Sequence, residues 1–186
     1  GDKTIKNKFK KIVDICVKGQ IKILSELGIK YDLFDYESKY LWDKKTGETL
    51  KRLEKTGKLF IDGFNRWVMD QKGYELGMKI PVLVLTRGDG TSLYPLRDIA
   101  YNLDKLKKGD NLVILGEDQK LYQEQIAAVL KELELKPPRV VHYSFVLLQE
   151  GKMSTRKGNV VLLEDFMKEA VNKAGAEIKK RYNKTD

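Results

Sequence analysis

The sequence predicts an α/β protein. Three short apolar runs, 81–85, 111–115 and 139–148, carry the β signal. Two amphipathic helical stretches separate them, and each run ends in a glycine or polar cluster. Strand, helix, strand, helix, strand is the pattern expected of a parallel sheet with helices packed on it. A length of 186 residues suits one domain or two small ones, and 41% apolar content is enough for a core.

Taken in order, Ile5, Phe9, Ile12, Val13, Ile15, Cys16, Ile21, Ile23, Leu24 and Leu27 recur at helical spacing, and Gly28 supplies a stop. Residues 3–27 are therefore expected to be a helix. Tyr31 to Tyr36 mixes acids with aromatics and reads as a short strand or extended segment. Glu48 to Thr56 reads as a short helix ended by Gly57, and 58–80 as loop-rich, with Gly63, Gly73 and Gly77. Pro81 to Leu85 follows as a buried strand, and Thr86 to Thr91 as a turn around Asp89-Gly90. Leu96 to Lys108 is a helix with Ile99, Ala100, Leu103 and Leu106 inward. Asn111 to Leu115 is a second buried strand, and Gln119 to Leu133 a helix with Ile126, Ala127, Leu130 and Leu133 inward. Arg139 to Leu148 is the third strand, and Glu164 to Arg181 the final helix.

Composition excludes several classes. With 4 Pro and 34% charged residues, the chain is neither Pro-rich nor low-complexity. One Cys leaves no intrachain disulfide framework and no Cys-rich zinc site, so a reducing, cytoplasmic compartment is expected. The longest apolar run, near Ile80 to Leu85, is far short of the roughly 20 residues that span a bilayer, so no membrane partner is expected. The net charge of +9 is uneven. Residues 1–30 carry +5, residues 151–186 carry +4, and the middle balances. Two basic ends suit a polyanion, nucleic acid first, and equally suit solvated Lys-rich helix surfaces. The single histidine, His142, lies inside a strand and is expected to be structural.

Ligands of such sheets bind beyond the carboxyl ends of the strands. Three polar clusters fall there. Gly151 to Asn159 holds Lys152, Arg156 and Lys157 with Ser154 and Thr155, directly after a strand. Such a loop can surround a triphosphate and offset charge on a leaving group, although a plain solvated basic loop has the same composition. In Arg87 to Asp98, Tyr94 and Asp98 are four apart and share a helix face. An acid and a phenol can receive a guanidinium or ammonium group; the alternative is that Asp98 caps locally or pairs with Arg97 or Lys105. In Gly116-Glu117-Asp118-Gln119, glycine permits close backbone approach, and Asp118 can accept a ribose hydroxyl or cap the following helix.

In this order and spacing the clusters resemble the arginyl-tRNA synthetases, a class I family. Asp89-Gly90-Thr91-Ser92-Leu93-Tyr94 with Arg97-Asp98-Ile99-Ala100-Tyr101 is similar to that family's arginine-site motif. Lys152-Met153-Ser154-Thr155-Arg156-Lys157-Gly158-Asn159 resembles its KMSKS loop, and Gly116 to Gln119 its strand-end motif. The likeness is strong over 82–175 and weaker over 20–60, where Tyr31-Asp32 and Glu37-Ser38 fit the family's insertion. The resemblance implies the second half of a Rossmann-like nucleotide-binding fold plus a helix-rich inserted segment. It implies an insertion over 1–80, the second catalytic half over 81–163, and over 164–186 the start of a helical region leading toward tRNA contact. It further implies that Tyr94, Asp98 and Gln119 bind arginine, and that Gly116, Asp118, Met153 and Ser154 border ATP. Lys152, Arg156 and Lys157 would act on the phosphates as the catalytic cations. ATP with Mg2+, arginine, tRNA(Arg) and the remainder of the synthetase chain are the implied ligands and partners, with no metal site in the chain itself.

Two departures shape the expectation. Thr155 stands where the general loop carries Lys, so charge must come from Lys152, Arg156 and Lys157. The class I HIGH motif needs two histidines, and this sequence has one, outside that context. With Gly1 in place of Met, the chain is expected to be a cut piece, inactive alone, lacking the first half of the fold and the anticodon-binding domain. A non-catalytic RNA-binding or interaction module derived from a synthetase is the alternative.

Overall fold

The computed structural model describes residues 2–42, 44–144 and 161–182. It divides into two compact units, one of 1–34 with 146–186 and one of 35–145.

In the first unit, helix α1 (Lys3–Glu26) starts on Asp2, whose carboxylate accepts from Thr4 N at 2.7 Å. It ends before Gly28 at φ +72°, a dihedral that glycine adopts without a Cβ clash. Helix α6 (Leu163–Tyr182) carries Glu164 and Asp165 in its first turn and Lys179, Lys180 and Arg181 in its last, matching the helix dipole at both ends. Neither helix buries a residue, so the apolar stripe that predicted α1 stays in solvent, with Phe9 64% and Ile15 69% exposed. Residues 31–36 are irregular rather than a strand.

The second unit holds the core. Helices α2 (Ser38–Trp42) and α3 (Lys45–Glu54) lead into strands β1 (Leu59–Ile61), β2 (Trp67–Asp70) and β3 (Val82–Val84). Then come α4 (Tyr94–Leu106), β4 (Leu112–Gly116), a single 3₁₀ turn at Glu117–Gln119, α5 (Lys120–Glu132) and β5 (Arg139–Tyr143). Leu53, Met69, Leu83, Leu85, Leu96, Ile99, Ile126, Val129 and Leu130 interlock where α3, α4 and α5 cover the β1–β2–β3 sheet. Buried polar atoms stitch the same layers. Gln71 Nε2 donates to the Gln125 carbonyl at 2.7 Å, and Gln125 Nε2 donates to Val82 O at 3.2 Å.

The α/β class stands, and its parallel pair is β4–β5, in register from Leu112 with Arg139 to Gly116 with Tyr143. The first expected strand behaves differently: β3 pairs antiparallel with β2, which pairs antiparallel with β1. Residues 58–80, expected to be loop-rich, thus contain two strands. The missed signal is Asp62-Gly63 between two short apolar runs, a hairpin cue. Asp62 Oδ1 accepts from Phe64 N and Arg66 N, Arg66 forks onto Asp62 Oδ2, and Asn65 takes φ +57°. The second and third expected strands exist, and the second, expected to be buried, contains no buried residue. Ile114 is 63% and Val141 49% exposed, because one face of the β4–β5 pair has no helix over it among the described residues. The expected end of the third strand, 145–148, lies outside the described residues.

Two consequences can be measured. A Cβ on Gly88 would come within 2.6 Å of the Phe64 carbonyl oxygen, and the Gly88 carbonyl accepts from Asn65 Nδ2 at 2.7 Å. Gly88→Ala must push two backbone turns apart and is expected to lower unfolding free energy by about 1–3 kcal/mol in urea denaturation. Secondly, Glu132 accepts from Lys58 and, at 2.8 Å, from the Tyr74 hydroxyl. The Lys58 bond, ahead of the Tyr74 bond, holds its carboxyl below the usual range against the opposing effect of burial. A lowered folded-state pKa adds stability that is complete above the unfolded value, about 4.3, and is lost as pH falls through the folded one. The stability gap between wild type and Glu132→Gln is therefore expected to close on acidification below about pH 4.

Candidate active site

Helix α4 is launched by a pinned hairpin. Arg87 N donates to Thr91 O and Leu93 N to Leu85 O, both at 2.8 Å, and Gly90 turns at φ +81°. Pro95 then sits in the first turn, where its absent N–H breaks no helical bond and its fixed φ suits the helix. Tyr94 and Asp98 follow on one face.

That face meets the start of α5. Tyr122, one turn after Gln119, donates from its hydroxyl to Asp98 Oδ2 at 2.5 Å, and its ring packs edge-on against Tyr94 with centroids 5.7 Å apart. Burial first, then the Asp98 carboxylate, pushes the Tyr122 phenol far above its ordinary value, so it remains a donor at any physiological pH. With Oδ2 engaged, Asp98 keeps Oδ1 for another partner.

At the tip of β4, Gly116 lies beneath Asp118: a Cβ there would stand 2.5 Å from Asp118 Oδ1 and 3.9 Å from the Tyr143 ring. Asp118 Oδ2 accepts from Gln119 Nε2 at 2.9 Å. The alternative role for Asp118, capping the next helix, is not what it does, since no side chain caps the 3₁₀ turn or α5. His142 Nδ1 lies 3.4 Å from the Gly116 carbonyl oxygen.

Asp98 also borders a pocket of about 230 Å³, together with Asp35, Glu37, Tyr40, Arg97 and Tyr101. Each acid has its own partner. Tyr101 donates to Asp35 Oδ2 at 2.9 Å, Tyr122 serves Asp98, and Arg97 Nε stands 3.0 Å from Glu37 Oε1. Burial, reinforced by Asp35, pushes the Tyr101 phenol up to about 12. Lys105, over the Tyr101 ring at 4.5 Å, is pulled below the usual lysine range by burial, an effect Asp98 and Asp35 oppose. Asp98 is therefore not paired with Arg97, while Lys105, the other local cation, does feel the Asp98 charge. Three carboxylates against the Arg97 guanidinium and the adjoining Lys105 ammonium leave a small negative balance at this pocket.

Tyr94 and Asp98 thus meet Tyr122, one turn beyond the second cluster, while the printed contacts of Gly116, Asp118 and Gln119 stay at the tip of β4. The third, with Lys152, Met153, Ser154, Arg156 and Lys157, lies outside the described residues. Sequence reasoning gave no role to Tyr122, Asp35, Glu37 or Tyr101. Tyr122 was within reach, being one helical turn beyond Gln119; the acids at 35 and 37 are brought in by tertiary folding alone. Among the described residues no three His, Cys, Asp or Glu side chains group as a metal site, and no helix is long and apolar enough to cross a membrane.

Residues 1–185 match the family described as tRNA synthetases class I (R), catalytic domain. The arginine–tRNA ligase of Methanocella arvoryzae is 42% identical over 183 residues, covering 94% of this chain and 31% of that protein. That of Methanocaldococcus jannaschii is 38% identical over 181 residues, covering 97% and 31%. Among solved structures, Thermus thermophilus arginyl-tRNA synthetase superposes with a TM-score of 0.78 at 20% identity, over 97% of this chain and 37% of that one, a likeness of fold. The chain spans about a third of the length of the curated relatives it matches. A match along nearly the whole chain shows that it belongs to the catalytic-domain family of the class I arginyl-tRNA synthetases.

Proposed function

We propose that this chain carries the arginine-selecting part of an arginine–tRNA ligase, which activates arginine with ATP and transfers it to tRNA(Arg). The observation that carries the reading is Asp98, whose Oδ2 is held by Tyr122 while it borders a pocket with net negative lining. A planar guanidinium is the cation that a fixed carboxylate selects best, through two parallel N–H bonds or one bond plus a phenol. Tyr94 and Gln119 would complete the arginine site beside Asp98. Gly116 and Asp118 would receive the ribose, and Met153 and Ser154 would border the rest of ATP.

In the first step a carboxylate oxygen of arginine bonds to the α-phosphorus, the bond from that phosphorus to the bridging oxygen breaks, and pyrophosphate leaves. In the second, a hydroxyl at the tRNA 3′ end takes the arginyl group and AMP departs. The chain's residues form no covalent bond in either step. They orient the amino acid, and Lys152, Arg156 and Lys157 would balance charge growing on the pyrophosphate. Mg2+ fits as a companion of the ATP phosphates, a usual mode for that ion. We assign 1–80 to the family's insertion, 81–163 to the second catalytic half and 164–186 to the start of the helical region facing tRNA, with the ligase working in the cytoplasm.

The test is arginine-dependent ATP–pyrophosphate exchange by this chain alone and by the ligase that carries it. Exchange is expected only in the second, because one histidine cannot supply the paired-histidine motif. Robust turnover by the chain alone would refute the division of the site. Salt-sensitive tRNA binding untouched by Lys152→Ala and Asp98→Ala, with no exchange in either protein, would favour a non-catalytic RNA-binding module instead.

A further inference from the structure

Phe64 stands at the tip of the β1–β2 hairpin and, among the described residues, is the most exposed large apolar side chain, at 76%. An aromatic ring left in water gains nothing for the fold, yet this one is held in a fixed place. Asp62 Oδ1 accepts from the backbone N–H of Phe64 at 2.9 Å and of Arg66 at 3.0 Å. Arg66 forks onto Asp62 Oδ2, which sets its guanidinium carbon 5.0 Å from the centre of the Phe64 ring, a cation–π contact. Asn65 then ties the tip to the next turn through the Gly88 carbonyl, and Gly88, lacking a Cβ, lets the Phe64 carbonyl approach. That turn follows the carboxyl end of β3, closes between Thr86 and Ser92, and leads into α4 with Tyr94 and Asp98. The ring is thus fixed, through two turns, at the end of this unit that carries the proposed arginine site.

We propose that Phe64, backed by Arg66, is a stacking platform for an unpaired nucleotide at the 3′ end of tRNA. This rests on the reading that the ligase transfers arginine to tRNA. Transfer requires that the 3′ end reach the arginine site, and the tip lies at that end of the unit. Stacking suits the chemistry of the tip better than phosphate binding does. The Arg66 charge is already paired with Asp62, so its guanidinium serves the ring and not a free anion. Every base offers a π face, and an aromatic ring backed by a guanidinium holds one without reading its sequence. One ring on a narrow tip also matches the size of a base, whereas a stable protein interface takes about 800 Å² per partner.

The experiment measures binding of tRNA(Arg) to the ligase that carries this chain, with an intact transcript and with one shortened by its unpaired 3′ nucleotides. Phe64→Ala is expected to weaken the intact transcript about tenfold, the scale of one base stacked on an aromatic ring. Its salt dependence is expected to match that of wild type, because no phosphate contact is lost. Phe64→Trp, which keeps a stacking face, is expected to stay within about twofold of wild type. The shortened transcript is expected to bind wild type and Phe64→Ala alike. Unchanged affinity of Phe64→Ala for the intact transcript overturns the proposal. So does an equal loss for both transcripts, since the ring then acts away from the 3′ end. A clearly lower unfolding midpoint of the Phe64→Ala ligase without tRNA marks a contact with protein and overturns it as well. If the wild-type ligase binds no tRNA, the ligase reading fails and takes the proposal with it; if it binds and only Phe64→Ala is silent, the ligase reading stands.

Discussion

Asp98→Asn is expected to weaken arginine recognition by at least about 30-fold, corresponding to about 2 kcal/mol or more, the usual cost of cutting one side of a buried charge pair. The change is nearly isosteric, so packing around α4 is preserved. What disappears is the charge that a guanidinium pairs with. The amide also offers its NH2 to a cation that has only donors, which turns an attraction into a clash of like dipoles. The defect should fall on the arginine KM in pyrophosphate exchange by the ligase carrying this segment, with the ATP KM little changed. A second readout belongs to the protein without ligand. The Tyr122 phenol, raised by burial and by Asp98, should titrate lower once the carboxylate is gone, though burial keeps it above its ordinary value. Arginine recognition left untouched by Asp98→Asn would remove the basis for assigning this pocket to arginine.

Ile99→Ala is the second large effect, and it acts on stability. Ile99 is wholly buried, one residue along α4 from Asp98, and belongs to the cluster with Leu85, Leu96 and Val129. Truncation removes three carbons and leaves a cavity between helices and sheet that cannot fully collapse. The expected loss is about 2–5 kcal/mol, read from urea or thermal unfolding. Since α4 carries Tyr94 and Asp98 on its other side, a weakened anchor should also loosen the site. An unfolding midpoint equal to that of wild type would mean that α4 is not held by this core.

Much of the molecule follows from local chemistry that a linear sequence records. The helical spacing of Ile99 with Leu103 and Leu106, and of Ile126 with Leu130 and Leu133, set α4 and α5 to within a few residues. Gly28 and Gly57 mark stops at positive φ, where a side chain would be strained. The Tyr94–Asp98 spacing is a property of any helix. The strand signals were weaker. β1 and β2 are three and four residues long, too short for alternation to register, and their hairpin cue lay among glycines that also read as loop.

What the sequence by itself determined is the five longer helices but not the short α2, the α/β class, and the pairing of an acid with a phenol ahead of a glycine-bearing strand tip, because each depends on neighbours within one or two turns. Tertiary structure alone decided that β3 joins an antiparallel sheet, that Tyr122 takes one oxygen of Asp98, and that Asp35 and Glu37 wall the same pocket from more than 50 residues away in the chain. Those outcomes depend on which surfaces bury against each other. Apolar burial is non-directional, so an apolar run does not encode its partner. The hydrogen bonds that give the site its geometry are set only after that packing is complete.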